Sequence, residues 1–129
     1  MSQDYRNLVV WQKAIELTVC IYKLTCSLPR DEIYGLSSQM RRASVSIASN
    51  IAEGRGRLNP GEFRQFLGVA QGSTYELQTQ LVVADSLQLA KTEDLERAAA
   101  LSEEISKMLF SFINTLNSAA NKKELAAKS

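Results

Sequence analysis

The chain has 129 residues, two cysteines, no histidine and a formal net charge of +1. This length suits one domain, residues 1–129, with its own core, and 45% hydrophobic and 22% charged residues are ordinary for a soluble globular protein. No apolar run reaches the ~18–20 residues that span a membrane, and the N-terminus lacks a signal-peptide pattern, so we expect a cytoplasmic protein. Without histidine, common zinc and di-iron sites are excluded, and we expect no metal and no cofactor.

Apolar residues recur at helical spacing along nearly the whole chain, and no segment alternates as a half-buried strand does. We predict helices at about residues 7–27, 36–53, 60–90 and 93–120, followed by a polar, frayed tail at 121–129. The predicted apolar stripes are Leu8, Trp11, Ile15, Thr18 and Tyr22; Leu36, Met40, Ala43, Ile47 and Ile51; Phe63, Leu67, Ala70, Thr74, Leu77, Leu81 and Ala84; and Ala98, Leu101, Ile105, Met108, Phe112 and Leu116.

Start and stop signals separate these segments. Gly54 stands where a left-handed residue often ends a helix. In "NPGE" (59–62), Asn59 is the predicted N-cap of the third helix, and the Glu62 carboxylate is placed to reach back to the backbone N–H of the cap. Lys91 stands at the predicted end of the third helix, and Thr92 opens the fourth.

Four helices joined by short loops predict an all-α, up-down-up-down four-helix bundle. The 4-3-4-3 spacing of the third stripe favours left-handed supercoiling. The helices are predicted to differ in length, so side surface on the long ones stays uncovered. That surface favours contact with a second subunit in a homo-oligomer.

The second helix, "SVSIASNIAEGRGR" (44–57), carries unusually many small polar residues. Ser46, Asn50 and Gly54 are four residues apart and share a face, and Gly68 and Gly72 form a similar row on the third helix. We interpret both rows as close helix contacts, within the subunit or across an interface, with an indifferent solvent-facing role as the alternative. A buried Asn50 amide needs partners and would then fix the helix register.

Charge is unevenly distributed along the chain. Between residues 41 and 64 there are five arginines against Glu53 and Glu62, whereas seven acidic residues between 76 and 104 face only two basic ones. Cations near a helix C-terminus have a structural explanation, and a solvated cluster is one interpretation. The alternative is a phosphate-binding patch for nucleic acid. The arginines of this patch are Arg41, Arg42, Arg55, Arg57 and Arg64.

No catalytic pattern is present: the chain has no histidine base, no nucleotide-binding glycine loop and no nucleophile motif. Cys20 and Cys26 are six residues apart on one predicted helix, which is too far for a disulfide between them. We therefore predict a protein that is not an enzyme and has no small-molecule substrate.

Three segments together resemble a known family. "LVVWQKAIEL" (8–17), "LTCSLPRDEIYGLSSQMRRASVSIASNIAEGRGR" (24–57) and "EFRQFLGVAQGSTYELQTQL" (62–81) are similar to the four-helix-bundle proteins encoded in intervening sequences of bacterial 23S ribosomal RNA genes. That family is in turn similar to the accessory variability determinant of diversity-generating retroelements, a pentameric bundle that binds a reverse transcriptase and nucleic acid.

The resemblance implies a four-helix bundle, a ring-like homopentamer, and binding of structured RNA or DNA without enzymatic activity. It directs functional interest to Arg41, Arg42, Asn50, Glu53, Gly54, Arg55 and Arg57. The chain is nearly neutral, whereas the retroelement protein is strongly basic, which argues against strong non-specific binding. A protein–protein scaffold that binds no nucleic acid is the alternative function.

Overall fold

The structure, a computed structural model, describes residues 4–128 apart from the side chains of residues 120, 123 and 124. Residues 1–3 and 129 of the predicted domain lie outside this description. Over residues 4–128 the chain is all-helical and has no strand, as predicted. The elements are a 3-10 turn at Tyr5–Asn7, α1 at Val9–Cys26, a 3-10 turn at Arg30–Glu32, α2 at Leu36–Arg55, α3 at Pro60–Ser86 and α4 at Thr92–Lys128.

The four helices pack around one core. α1 lies beside α2 and α4, and α3 lies beside the same two helices, whereas no Cα of the described α1 comes within 8 Å of a Cα of α3. The helices therefore form a square with α1 diagonal to α3, and α2 diagonal to α4. Because short loops join them, consecutive helices are antiparallel. The outer faces of α1 and α3 point away from each other.

The apolar stripe predicted for α3 is buried along its whole length. It meets Met40, Ile47 and Ile51 of α2, each with no exposed surface. Thr74 and Ser102 are buried without cost in hydrogen bonding, since their hydroxyls donate to the carbonyls of Ala70 and Ala99 at 2.9 and 2.8 Å.

The buried stripe of α1 differs from the predicted one. Ile15 and Tyr22 are 38% and 42% exposed, and the core instead receives the set one position earlier in the chain. That set also has helical spacing and contains no hydroxyl, whereas the predicted stripe included Thr18. Burying this apolar set costs little, and the Thr25 hydroxyl that α1 buries beside it donates to the Ile21 carbonyl at 2.8 Å. The buried residues of this face are Val10, Ala14, Leu17, Ile21 and Leu24.

α3 ends at Ser86, four residues before the predicted end. Gln88 has a φ of +55°, and the N–H groups of Gln88 and Leu89 donate to the carbonyls of Asp85 and Ala84, each at 3.0 Å. This pair of bonds is the Schellman arrangement, which ends a helix without glycine here. Lys91 consequently precedes α4, and its carbonyl accepts the N–H of Leu95 at 3.1 Å.

α4 continues to Lys128, through residues for which the sequence predicts a frayed tail. "SAANKKELAAK" (118–128) is rich in alanine, lysine and leucine, which favour helix, and this explains the continuation. The described side chains of residues 121–128 are exposed. None of the helices within residues 4–128 combines the length and apolar character needed to cross a membrane.

Candidate nucleic-acid interface

A concavity of about 1020 Å³ lies between the second half of α1, the turn Arg30–Glu32 and the first half of α2. Three guanidinium groups, from Arg30, Arg41 and Arg42, line it. Hydroxyl groups of Ser37 and Ser38 and several exposed apolar side chains complete the wall. The surface is therefore cationic and partly apolar, a combination that suits an anion carried on a larger molecule.

Arg41 is held in place by α1. Its Nε donates to the Thr25 hydroxyl at 2.8 Å, and its Nη2 lies 3.6 Å from the Cys26 sulfur. The guanidinium carbon sits 4.7 Å from the centroid of the Tyr22 ring, a cation–π contact. These contacts come from the side of α1 that borders the concavity, where Thr25 is buried and Tyr22 and Cys26 are exposed. They orient the charge without neutralising it.

Arg30 and Arg42 are exposed and less constrained. Within residues 4–128, neither side chain makes a hydrogen bond or an ion pair. The ion pairs described are Arg6–Asp4, Lys13–Glu104 and Arg57–Glu53, so no carboxylate within 4.0 Å offsets the charge of the concavity. All three arginines of this surface therefore keep donors available to a ligand.

The remaining predicted arginines lie near the other end of α2. Arg57 stacks on Phe66, with 4.6 Å from guanidinium carbon to ring centroid, and its Nη2 is 4.0 Å from the Glu53 carboxylate. Arg55 is half-buried and lies over Phe63 at 5.8 Å, and Arg64 is also half-buried. The structure thus divides the five arginines into two groups, separated by about 20 Å along α2, where the sequence suggested one patch.

The predicted row of small polar residues forms a seam between α2 and α3. The hydroxyls of Ser46 and Ser73 are 2.8 Å apart, and the Asn50 amide donates to the Ser46 carbonyl at 2.8 Å and its hydroxyl at 3.1 Å. Asn50 is half-buried, and its N–H donors are satisfied. Ser49, one residue earlier, is exposed on the outer side of α2.

Gly54 allows α2 and α3 to approach closely. A Cβ added there would lie 2.7 Å from the Phe66 Cβ and 2.9 Å from the Phe63 ring. The close contact predicted for Gly54 is therefore present within the subunit. Its predicted role as a left-handed helix end is wrong, because α2 runs on to Arg55 and no glycine of the described residues has a positive φ.

Gly68 and Gly72 lie on the outer face of α3, and a Cβ added at either would meet nothing within 4 Å. Val69, Tyr75 and Val82 share this face and are 52%, 52% and 64% exposed. The face is long and nearly uncharged. It makes no close contact within the subunit, so the glycine row of α3 has no packing role in a single chain.

The sequence interpretation missed Arg30, Thr25 and Tyr22, which help to build the concavity. Tyr22, Thr25 and Cys26 are spaced three and four residues apart, so they share one helix face, and that spacing was readable. The reason for the omission was the assignment of Tyr22 to the core. The buried face of α1 in the structure differs from the predicted one, so Tyr22 lies at the surface and Arg41 packs against it.

The described residues offer no group of three His, Cys, Asp or Glu side chains that could hold a metal ion. Cys26 is exposed beside Arg41, whereas Cys20 is half-buried on the α4 side of α1. Burial is the main cause that raises the pKa of the Cys20 thiol above its ordinary value. The two cysteines therefore lie on different sides of α1.

Comparison with known proteins establishes the family. The family model of the 23S rRNA-intervening sequence proteins matches residues 6–111, which is most of the chain. The chain belongs to this family. No curated protein matches it. The matched region includes α1, α2, α3 and the first half of α4, and therefore the whole concavity.

A solved crystal structure has a similar fold. It is a protein of unknown function from the S23 ribosomal protein family of Bacteroides thetaiotaomicron VPI-5482, 28% identical to this chain, with a TM-score of 0.76. The alignment covers 81% of this chain and 98% of that one.

Proposed function

We propose that this 23S rRNA-intervening sequence protein binds structured RNA without catalysing a reaction, and that the concavity between α1 and α2 is the binding site. The observation that supports this most is the grouping of Arg30, Arg41 and Arg42 with no carboxylate within 4.0 Å among the described residues. Guanidinium groups bind phosphate oxygens through paired N–H donors, and such contacts supply most of the affinity for nucleic acid.

The proposed mechanism is electrostatic. Three phosphate contacts predict a logarithmic salt dependence with a slope of roughly −2 to −3, because each contact releases condensed counterions. This is a modest slope, in keeping with a net charge of only +1. Binding by one subunit is consequently weak at physiological salt, and we place the protein in the cytoplasm, where RNA is encountered.

A homo-oligomer is part of the proposal. The exposed, nearly uncharged outer face of α3, with Gly68 and Gly72, is diagonal to α1 and leaves the concavity open when a second copy covers it. The pentameric ring expected from the family resemblance would repeat the weak site five times, so the sites act together through effective concentration. Light scattering of the wild type and of Val82→Glu tests this, since a charge on that face should dissociate the assembly.

The RNA proposal is tested by fluorescence anisotropy with a labelled RNA hairpin at rising salt. Arg42→Glu should weaken binding by about tenfold or more, since it removes a phosphate contact and adds repulsion. Lys107→Gln, an exposed cation on α4, which is diagonal to α2, is the matched control and should bind as the wild type does. No binding at low salt, or equal affinities for all three proteins, would contradict the proposal.

A protein–protein scaffold is the second candidate, favoured by the same uncharged α3 face. It predicts capture of a partner that survives nuclease treatment and does not depend on Arg42. Capture that is lost on nuclease treatment and reduced by Arg42→Glu favours RNA binding instead.

A further inference from the structure

We infer that the RNA bound by this protein is double-stranded, and that the duplex lies along the outer face of α2 from Arg42 to Arg57. The inference rests on the proposed RNA-binding function and adds the class of RNA. Four features of α2 and its neighbours support it: the spacing of the two cations, the small residues between them, the state of the nearby aromatic rings, and the rigidity of the support.

The two cations lie on one face at a fixed separation. Arg42 and Glu53 are eleven residues apart, which is three helical turns, so they share a face at about 17 Å. Arg57 reaches back to this face, since its Nη2 is 4.0 Å from the Glu53 carboxylate. A duplex presents successive backbone phosphates over such a distance. A single phosphate group cannot contact both cations.

The surface of α2 between the two cations carries short side chains. Ser49 follows Arg42 by seven residues and lies on the same face between the two cations, and Ser46, four residues after Arg42, borders this face at the seam with α3. Ser49 is exposed, and its hydroxyl makes no hydrogen bond within residues 4–128. Short side chains let a wide, straight ligand approach both ends at once, and a spare hydroxyl pairs well with a ribose 2′-OH.

The aromatic rings beside the cations are already occupied. Arg41 covers a face of Tyr22 at 4.7 Å, and Arg57 covers a face of Phe66 at 4.6 Å. Recognition of single strands relies on aromatic rings that stack unpaired bases. The fully exposed ring near the concavity is Tyr34, which is 96% exposed and lies in the turn before α2 rather than on its outer face. The face is therefore suited to phosphates of paired strands.

Both cations project from one helix that is packed against its neighbours. The Arg42 side chain is itself exposed, but α2 is tied to α1 through the adjacent Arg41, and the segment around Arg57 is fixed by the contact of Gly54 with Phe63 and Phe66. Two sites held at a fixed separation gain most from a rigid ligand, because less freedom is lost on binding. A duplex presents its phosphates at set intervals, whereas a flexible strand must be ordered first.

The experiment compares a 12-base-pair RNA duplex with each of its single strands and with the DNA duplex of the same sequence, by anisotropy with the full chain. We expect the RNA duplex to bind the wild type at least about tenfold more tightly than either strand. Arg57→Gln should weaken duplex binding roughly fivefold and leave single-strand binding unchanged, since it removes one end of the site. Lys107→Gln and Tyr34→Ala should change neither.

The outcomes separate this inference from the proposal on which it rests. Equal affinity for strands and duplex, or a loss of affinity in Tyr34→Ala, overturns the duplex assignment while RNA binding stands. Equal affinity for the DNA duplex overturns the assignment to RNA. If no nucleic acid binds at low salt, the proposed function itself is wrong. Circular dichroism confirms that Arg57→Gln is folded, so that a changed affinity is not a loss of structure.

Discussion

Both halves of α2 carry arginines, but the surroundings of these arginines differ. In the first half, Arg41 and Arg42 border an open concavity and have no carboxylate within 4.0 Å among the described residues. At the other end, Arg57 stacks on Phe66 and approaches Glu53, while Gly54 packs against the same phenylalanine. One half is open and charged, and the other is closed and packed.

This difference shows that an arginine's role depends on its neighbours more than on its place in a motif. Around Gly54 the side chains mainly hold α2 against α3, because the helices approach closely and the cations are already in contact with rings and an acid. Around Arg42 no such contact exists, so all its donors remain available to a ligand. We therefore expect substitutions of the packing and capping residues at the closed end, Gly54 and Asn59, to change stability, whereas substitutions of the exposed cations Arg42 and Arg57 change binding.

The largest effect is expected at Gly54. Gly54→Ala should lower the free energy of unfolding by about 2–3 kcal/mol, because its Cβ would lie 2.7 Å from the Phe66 Cβ and force the helices apart. Gly68→Ala is the matched control, since it is also a helix-interior glycine but has open space around it. Measured in the Val82→Glu background, in which the outer face of α3 is uncovered, it should raise the free energy of unfolding by about 0.5–1 kcal/mol. Urea denaturation measures both, and the same sign for the two variants would contradict the contrast.

A smaller loss is expected at the N-cap of α3, which follows the closed end. The Asn59 Oδ1 accepts the N–H of Glu62 at 2.8 Å, and its amide donates to the Glu62 carboxylate at 3.0 Å. Asn59→Ala should therefore cost about 1 kcal/mol in the free energy of unfolding without changing RNA affinity. Asn114→Ala, exposed within α4, should leave stability nearly unchanged. A loss of RNA affinity in Asn59→Ala would contradict the assignment of Asn59 to stability alone.

The smallest effect is expected in the open half. Thr25→Val removes the hydroxyl that accepts from the Arg41 Nε, so that guanidinium loses its orientation. We expect RNA affinity to fall by roughly two- to threefold, which corresponds to less than about 1 kcal/mol. Thr18→Val is the control, because its hydroxyl bonds only the carbonyls of Ala14 and Ser44 and touches no arginine. Equal affinities of the two variants would mean that Arg41 needs no support from Thr25.

The sequence predicted α3 better than α1 for a physical reason. α3 has one uninterrupted apolar stripe, from Phe63 to Ala84, so a single face qualifies for burial. α1 has two overlapping stripes, and spacing alone does not decide between them. The structure buries the set that contains Leu17 and Ile21, and of the other set Tyr22 lines the concavity.

The candidate site was predictable in its residue types but only partly in its arrangement. Arg41 and Arg42 stand out by charge, yet their separation from Arg57 follows from the stretch of α2 that lies between them, which ends at Arg55. The capping signal of "NPGE" located Asn59 correctly, but the Glu62 carboxylate meets the Asn59 side chain rather than its backbone. Contacts of this kind depend on rotamers, which sequence spacing does not specify.

The most direct test of the central claim uses the two cysteines of α1 as internal reporters. Cys26 lies 3.6 Å from Arg41 in the concavity, and Cys20 faces the α4 side. We expect saturating RNA to slow alkylation of Cys26 by about threefold or more and to leave the slower reaction of Cys20, whose raised pKa limits its thiolate, unchanged. Mass spectrometry of the labelled peptides gives both rates from one sample. Protection of Cys20 alone, or RNA binding with no change at Cys26, would contradict the placement of the site between α1 and α2.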